Sequence, residues 1–171
     1  MVQGSLGSNI MNKKMIAFLN SIDNEQYEVL YITGKDYYDD FAKNKFSKNV
    51  FIVPYVDNLS ALIKNMDIIV TRAGASITSE IMALGKPSIF IPSPYVANNH
   101  QFYNAQSVET ANAGIMILEQ DLTEDILKTK INYLLSNPKV YNEMKNNLQK
   151  MSINNSSTLI YNILKDLINK K

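Results

Sequence analysis

Short runs rich in β-branched and apolar residues alternate along this chain with longer stretches whose apolar positions recur every three to four residues. The first kind of run predicts buried strands at Tyr27–Ile32, Val50–Val53, Asp67–Thr71, Ser88–Ile91 and Ile115–Leu118. The second predicts helices at Asn9–Ile22, Asp36–Lys43, Leu59–Asn65, Ser76–Leu84, His100–Ala113, Thr123–Leu135 and Ser156–Ile168. Pro138, directly after Asn137, suits the first turn of one more helix over Pro138–Met151. Strands that alternate with helices in this way build βαβ units. The expected architecture is therefore an α/β, Rossmann-like, mostly parallel sheet with helices on both faces.

The beginning of the chain departs from that rhythm. Met1-Val2-Gln3 is only a stub of a strand before Gly4-Ser5-Leu6-Gly7, which reads as the turn that follows a first strand. The expectation is a piece of a longer protein, forming one domain over 1–171. A length of 171 residues fits one domain.

Composition narrows the chemistry. Seventeen Lys+Arg against sixteen Asp+Glu give a formal net charge of +1, so nothing draws the chain as a whole toward nucleic acid. With no cysteine and a single histidine, disulfides, thiolate chemistry and any multi-histidine centre are excluded from this chain alone. No metal and no cofactor are expected. No apolar run approaches the ~20 residues of a membrane helix, and the reading is a soluble, cytoplasmic domain.

The densest candidate site is Thr71-Arg72-Ala73-Gly74-Ala75-Ser76-Ile77-Thr78-Ser79-Glu80, a strand end, a turn of small residues and a helix start. Such a junction leaves backbone N–H groups unpaired at the positive end of a helix dipole, which suits an anion. Ala73, Gly74 and Ala75 let a diphosphate approach the main chain. Glu80 lies four residues beyond Ser76, on the same helical face, where a carboxylate can accept hydrogen bonds from ribose hydroxyls. The same pattern also fits a Ser-capped helix with a solvated Glu. Arg72, the only arginine, admits two roles: a partly buried structural ion pair or a direct ligand contact.

The single histidine lies in Pro92-Ser93-Pro94-Tyr95-Val96-Ala97-Asn98-Asn99-His100-Gln101, again at the carboxyl end of a predicted strand. The stiff loop offers Asn98, His100 and Gln101 to sugar hydroxyls, or His100 simply fixes the turn. In Pro54-Tyr55-Val56-Asp57-Asn58, Tyr55 could stack on a base while the main chain of Val56 reads its edge, or Tyr55 merely packs. Gly4-Ser5-Leu6-Gly7 could cradle a phosphate, although Gly-x-x-Gly is common in α/β turns. Asp39-Asp40 is too local to make a metal pair. Neither a Walker lysine motif nor a Ser/His/Asp triad is present.

Six segments in order carry a resemblance: Gly4-Ser5-Leu6-Gly7 with Asn12, Pro54–Asn58, Arg72–Ser76, Ser79-Glu80-Ile81, Ala83-Leu84-Gly85-Lys86-Pro87, and Asn98-Asn99-His100-Gln101 with Asn104-Ala105. The series resembles the C-terminal half of the MurG-type glycosyltransferases of peptidoglycan synthesis, a GT-B-fold family. The resemblance implies a domain that binds UDP-N-acetylglucosamine. Val56 would read uracil beside Tyr55, and Glu80 would hold the ribose. Ala75, Ser76, Ile77, Thr78 and Ser79 would bind diphosphate, Ser5 would reach phosphate or sugar, and Gln101 would hold sugar hydroxyls. Gly4, Gly7, Arg72, Gly74, Asn98, His100 and Asn104 would support them. Two positions depart from the family pattern: Gln3 stands where a second glycine is usual, and Ile77 where a hydroxyl is common.

The implied reaction is inverting transfer of N-acetylglucosamine to a lipid-linked muramoyl-pentapeptide. Its acceptor half, which docks on the membrane, would precede this region. This chain would then hold no catalytic group and be inactive alone, and the whole enzyme would sit peripherally on the inner face of the cell membrane. A donor subunit of a two-chain glycosyltransferase and a non-catalytic nucleotide-sugar-binding module are the alternatives. Leu159, Ile160, Ile163, Leu164, Leu167 and Ile168 line one face of the last helix. That face either packs on this domain's own sheet or, lacking the other half, promotes self-association.

Overall fold

A computed structural model describes residues 1, 8–153 and 155–169. Five strands and eight α-helices alternate among these residues. The order is α1 (Asn9–Asn20), β1 (Val29–Ile32), α2 (Tyr38–Phe41), β2 (Val50–Val53), α3 (Leu59–Asn65), β3 (Ile69–Thr71), α4 (Ala75–Leu84), β4 (Ser88–Phe90), α5 (His100–Thr110), β5 (Ile115–Met116), α6 (Glu124–Ser136), α7 (Pro138–Met151) and α8 (Ser156–Asn169). Every strand pairing is parallel: β1 runs beside β2 with Val29 opposite Val50, and β4 lies between β3 and β5. Met1 hydrogen-bonds along β1, donating its amine to the Leu30 carbonyl (2.6 Å) and accepting from the Ile32 N–H (3.1 Å). Helices cover both faces of this Rossmann-like arrangement.

The core follows from the alternation. β4 is buried on both sides, with Ile89 and Phe90 fully enclosed, as a central parallel strand requires. Met11, Met15, Phe18 and Leu19 of α1 join Leu127, Ile131 and Leu134 of α6, while Ile81 of α4 faces Met144 and Leu148 of α7. β2 has a half-exposed Phe51, as befits a strand with a partner on one side only. One buried polar link is satisfied internally: the Tyr31 hydroxyl donates to Asn12 Oδ1 (2.8 Å), and Asn12 Nδ2 donates to the Thr33 carbonyl (3.3 Å).

Side-chain caps set several helix starts. Ser8, Asn58 and Thr123 accept from the N–H groups of Met11, Ala61 and Ile126. Gly85 ends α4 in the left-handed conformation (φ 59°), where glycine carries no Cβ penalty.

Several element ends shift by one to three residues, and three expectations change in substance. The predicted helix Asp36–Lys43 is a 3₁₀ turn at Lys35–Tyr37 followed by the single-turn α2. α4 starts one residue earlier than predicted, with Gly74 as its N-cap, and so is not Ser-capped. The last helix does not pack on this domain's own sheet: α8 buries no residue, and Ile163 and Ile168 are 60% and 73% exposed.

Candidate functional site

The carboxyl ends of parallel strands open toward one rim, where each strand hands over to a loop or helix start. A cavity of about 460 Å³ lies there, lined by Ile32 from the end of β1, by Tyr55, Val56, Asp57 and Leu59 after β2, and by Thr71, Gly74–Ile77 and Glu80 around the β3–α4 junction. Seven sequence-predicted residues therefore meet in one cleft: Tyr55, Val56, Gly74, Ala75, Ser76, Ile77 and Glu80.

At the β3–α4 end of this cleft the backbone supplies unpaired N–H groups. Gly74 caps α4 with extended geometry and no side-chain hydrogen bond, and the first bond of the helix runs from the Thr78 N–H to the Gly74 carbonyl (3.0 Å). The N–H groups of Ala75, Ser76 and Ile77 thus precede the helical ladder, at the positive end of the dipole. A Cβ on Gly74 would meet only Ile77 Cγ2, at 3.8 Å, so space is open beside the turn. Asn104 of α5 donates from Nδ2 to the Ala73 carbonyl (2.9 Å), which fixes the turn from behind. Such an end can hold an anion through fixed dipoles without a charged side chain.

Glu80 lies five residues beyond Ala75, about 7.5 Å along the helix axis. Ser60, in the first turn of α3, donates its hydroxyl to Glu80 Oε2 (3.1 Å) and so orients the carboxylate at the cleft. At the other end the Lys35 ammonium lies 4.6 Å from the centroid of the Tyr55 ring. Sequence reasoning missed both Ser60 and Lys35, because neither adjoins its partner in the chain.

The remaining predicted residues lie elsewhere. Thr78 is buried, its Oγ1 without a hydrogen-bond partner, and Ser79 is exposed; neither lines the cleft. Gln101 lies outside it as well, its Oε1 accepting from the Ser93 N–H (2.9 Å). His100 begins α5 with Nδ1 at 2.9 Å from the Ala97 carbonyl, the turn-fixing arrangement. Asn98 and Asn99 are both left-handed, with φ of 54° and 50°, which sets the bend before α5. A smaller cavity of about 230 Å³ opens between Pro92–Pro94, Asn99, Phe102 and Leu118–Gln120. Arg72 takes the structural role: its guanidinium forms a buried ion pair with Glu119. Gly4, Ser5 and Gly7 lie outside the described residues.

The family model for the glycosyltransferase family 28 C-terminal domain matches residues 1–160. The chain belongs to this family. Among curated relatives, the family 28 domain is 42% identical over 172 residues to the UDP-N-acetylglucosamine--N-acetylmuramyl-(pentapeptide) pyrophosphoryl-undecaprenol N-acetylglucosamine transferase of Thermoanaerobacter sp. (strain X514), covering 97% of this chain and 47% of that protein. It is 38% identical over 171 residues to the enzyme of the same name from Bacillus cytotoxicus, covering 98% and 47%. The chain thus spans about half the length of the curated relatives it matches. Among solved structures, Acinetobacter baumannii MurG superposes with a TM-score of 0.80 at 19% identity, over 96% of this chain and 48% of that one. The glycosyltransferase VinC, solved in complex with dTDP, gives 0.68 at 19% identity over 88% and 38%. At these identities the structural likeness establishes the fold of the family 28 domain: one half of a GT-B arrangement.

Proposed function

We propose that this chain is the donor-binding half of an inverting glycosyltransferase that moves N-acetylglucosamine from UDP-N-acetylglucosamine to lipid-linked muramoyl-pentapeptide in peptidoglycan synthesis. The observation that carries the reading is a single cleft containing a base-sized aromatic edge, an oriented carboxylate and an uncapped helix start. The relatives named for this reaction support the choice of donor and acceptor.

In this reading the main chain of Val56 and the ring of Tyr55 receive uracil, and Glu80 accepts from the ribose hydroxyls. The N–H groups at the start of α4 receive the diphosphate beside Ser76, and Ser5 contributes a contact to phosphate or sugar. Gln101, whose Oε1 accepts from the Ser93 N–H, offers its amide N–H group to sugar hydroxyls. During transfer an acceptor hydroxyl attacks the anomeric carbon from the face opposite the departing group. The sugar–phosphate bond breaks, UDP leaves with the electron pair, and a base of the acceptor half takes the hydroxyl proton. Charge therefore grows on UDP where the α4 dipole and N–H groups already point, so the chain's contribution to rate is electrostatic and preorganised.

The partners are the acceptor half and, through it, the lipid-linked acceptor at the cytoplasmic membrane surface. No helix among the described residues is long and apolar enough to cross a membrane. Calorimetric titration with UDP-N-acetylglucosamine, UDP-glucose and GDP-mannose tests the reading. Saturable binding that prefers the first is expected; equal binding of all three, or none by a folded chain, overturns it.

A further inference from the structure

Arg72 is 6% exposed and Glu119 5%, so both charges of this pair have left water. Replacing a buried ion pair with well-packed apolar residues is often neutral or stabilising, so such a pair is poorly explained as a device for stability. Its connections suggest what it fixes instead. Besides Glu119, the Arg72 guanidinium donates to the Ile91 carbonyl (3.2 Å) and to Ser8 Oγ (3.3 Å). Ser8 Oγ in turn accepts from the Met11 N–H (3.3 Å) as the cap of α1. Lys14, on the second turn of α1, donates to the Glu119 carbonyl (2.7 Å). One guanidinium thereby ties together the chain ends after β3, β4 and β5 and the start of α1.

We infer that Arg72 and Glu119 are positioning residues for the diphosphate end of the donor site, holding the start of α4 in register with the start of α1. The inference rests on the donor reading given above. Arg72 immediately precedes the turn whose Ala73 carbonyl is gripped by Asn104 and whose Gly74 opens α4. A shift of the guanidinium moves that turn directly. Its positive charge is already matched by Glu119, so an anion in the cleft meets backbone N–H groups while Arg72 stays a brace. Among the described residues the β2–α3 segment makes no hydrogen bond to Arg72 or Glu119. Glu80, in the second turn of α4, is held by Ser60 of α3, so the base and ribose contacts of uridine should be insensitive to the pair.

The test compares the full chain with Glu119→Gln and with the double substitution Arg72→Met/Glu119→Leu. UDP is titrated calorimetrically, uridine by NMR, and thermal unfolding is followed in parallel. Both variants are expected to bind UDP about tenfold more weakly and uridine within about twofold of the parent. The double variant should keep the parent's melting temperature despite the lost affinity, a split that a purely structural pair would not produce. Parent-like UDP affinity in the folded double variant overturns the inference, as does tighter UDP binding by Glu119→Gln, which would make the freed Arg72 a ligand. If the double variant fails to fold, Glu119→Gln decides: parallel losses for UDP and uridine overturn it. If the parent itself binds no UDP, the donor reading fails. The brace is then judged from amide shifts in Glu119→Gln, which must move at both Met11 and Gly74–Ile77; unmoved shifts at either overturn it.

Discussion

Replacing Glu80 with alanine should cost this chain most of its affinity for UDP without touching its stability. The carboxylate is half-exposed at the cleft, oriented by the Ser60 hydroxyl 3.1 Å away. Hydrogen bonds to a charged group contribute about 1.5–3 kcal/mol each when well shielded. Partial exposure brings each ribose contact to about 1 kcal/mol, so a diol held at both oxygens is worth about 2 kcal/mol. At 1.4 kcal/mol per factor of ten, UDP should bind Glu80→Ala about 30-fold more weakly. Ser60→Ala keeps the carboxylate but frees its rotamer, and about a threefold loss is expected. The assay is calorimetry with UDP and 2′-deoxy-UDP on all three proteins. Deoxy-UDP should be the weaker ligand for the parent and equal to UDP for Glu80→Ala, because the missing hydroxyl has then lost its acceptor. An equal deoxy penalty in parent and variant would refute the ribose assignment, whatever the absolute affinities.

Gly114→Ala should destabilise the domain by about 1–3 kcal/mol, because a Cβ there would lie 2.9 Å from both Phe90 Cε2 and Val108 Cγ1, which are fully buried. A lower urea midpoint at unchanged slope would show it; an unchanged midpoint would mean that the Phe90 ring can yield. Burial, aided by the Glu25 charge, pushes the Tyr27 phenol up to about 12. The unfolded chain releases that proton near pH 10 while the native chain keeps it, so native stability is complete below pH 10 and falls as pH rises toward 12. Tyr27→Phe should flatten this decline and cost little at neutral pH, since the hydroxyl has no hydrogen-bond partner; identical pH profiles would contradict this. The exposed apolar face of α8 should make sedimentation concentration-dependent, and Ile163→Asn with Leu167→Asn should abolish the effect. A strictly monomeric profile of the parent at high concentration would count against it.

The alternation of apolar runs is enough to place the five strands of the described residues and the order of the helices, because parallel strands buried in a sheet read as continuous β-rich segments. Strand ends were read too long: Asp67 and Ile68 precede the paired residues of β3, and Ile91 follows those of β4 although it is fully buried. Apolarity reports burial, whereas pairing depends on where the neighbouring strand begins. At the β3–α4 junction the turn of small residues at the strand end is legible from Gly74 and its neighbours, but the helix start is not, since Ser76 is the better side-chain cap and the structure uses Gly74 instead. Glu119 escaped notice because Leu118-Glu119-Gln120-Asp121 reads as a solvated turn, and only the fold brings it against Arg72. Ser60 and Lys35 were hidden for the same reason. Their partners, Glu80 and Tyr55, lie on other elements, and spacing along a chain carries no record of a contact made across it.

Beside Ile32 at the end of β1, the cleft is built mainly from two consecutive β–α junctions. The β2–α3 segment supplies the aromatic edge and the serine that orients Glu80, and the β3–α4 junction supplies the uncapped helix start. Asn58 caps α3 independently of anything in α4. Under the proposed donor reading, a redesign aimed at another nucleobase can therefore be confined to a cassette of about six residues, 54–59, which leaves the Ser60–Glu80 bond and the start of α4 untouched. On the same reading, recombination at this seam is a modular route by which the scaffold exchanges one base preference for another.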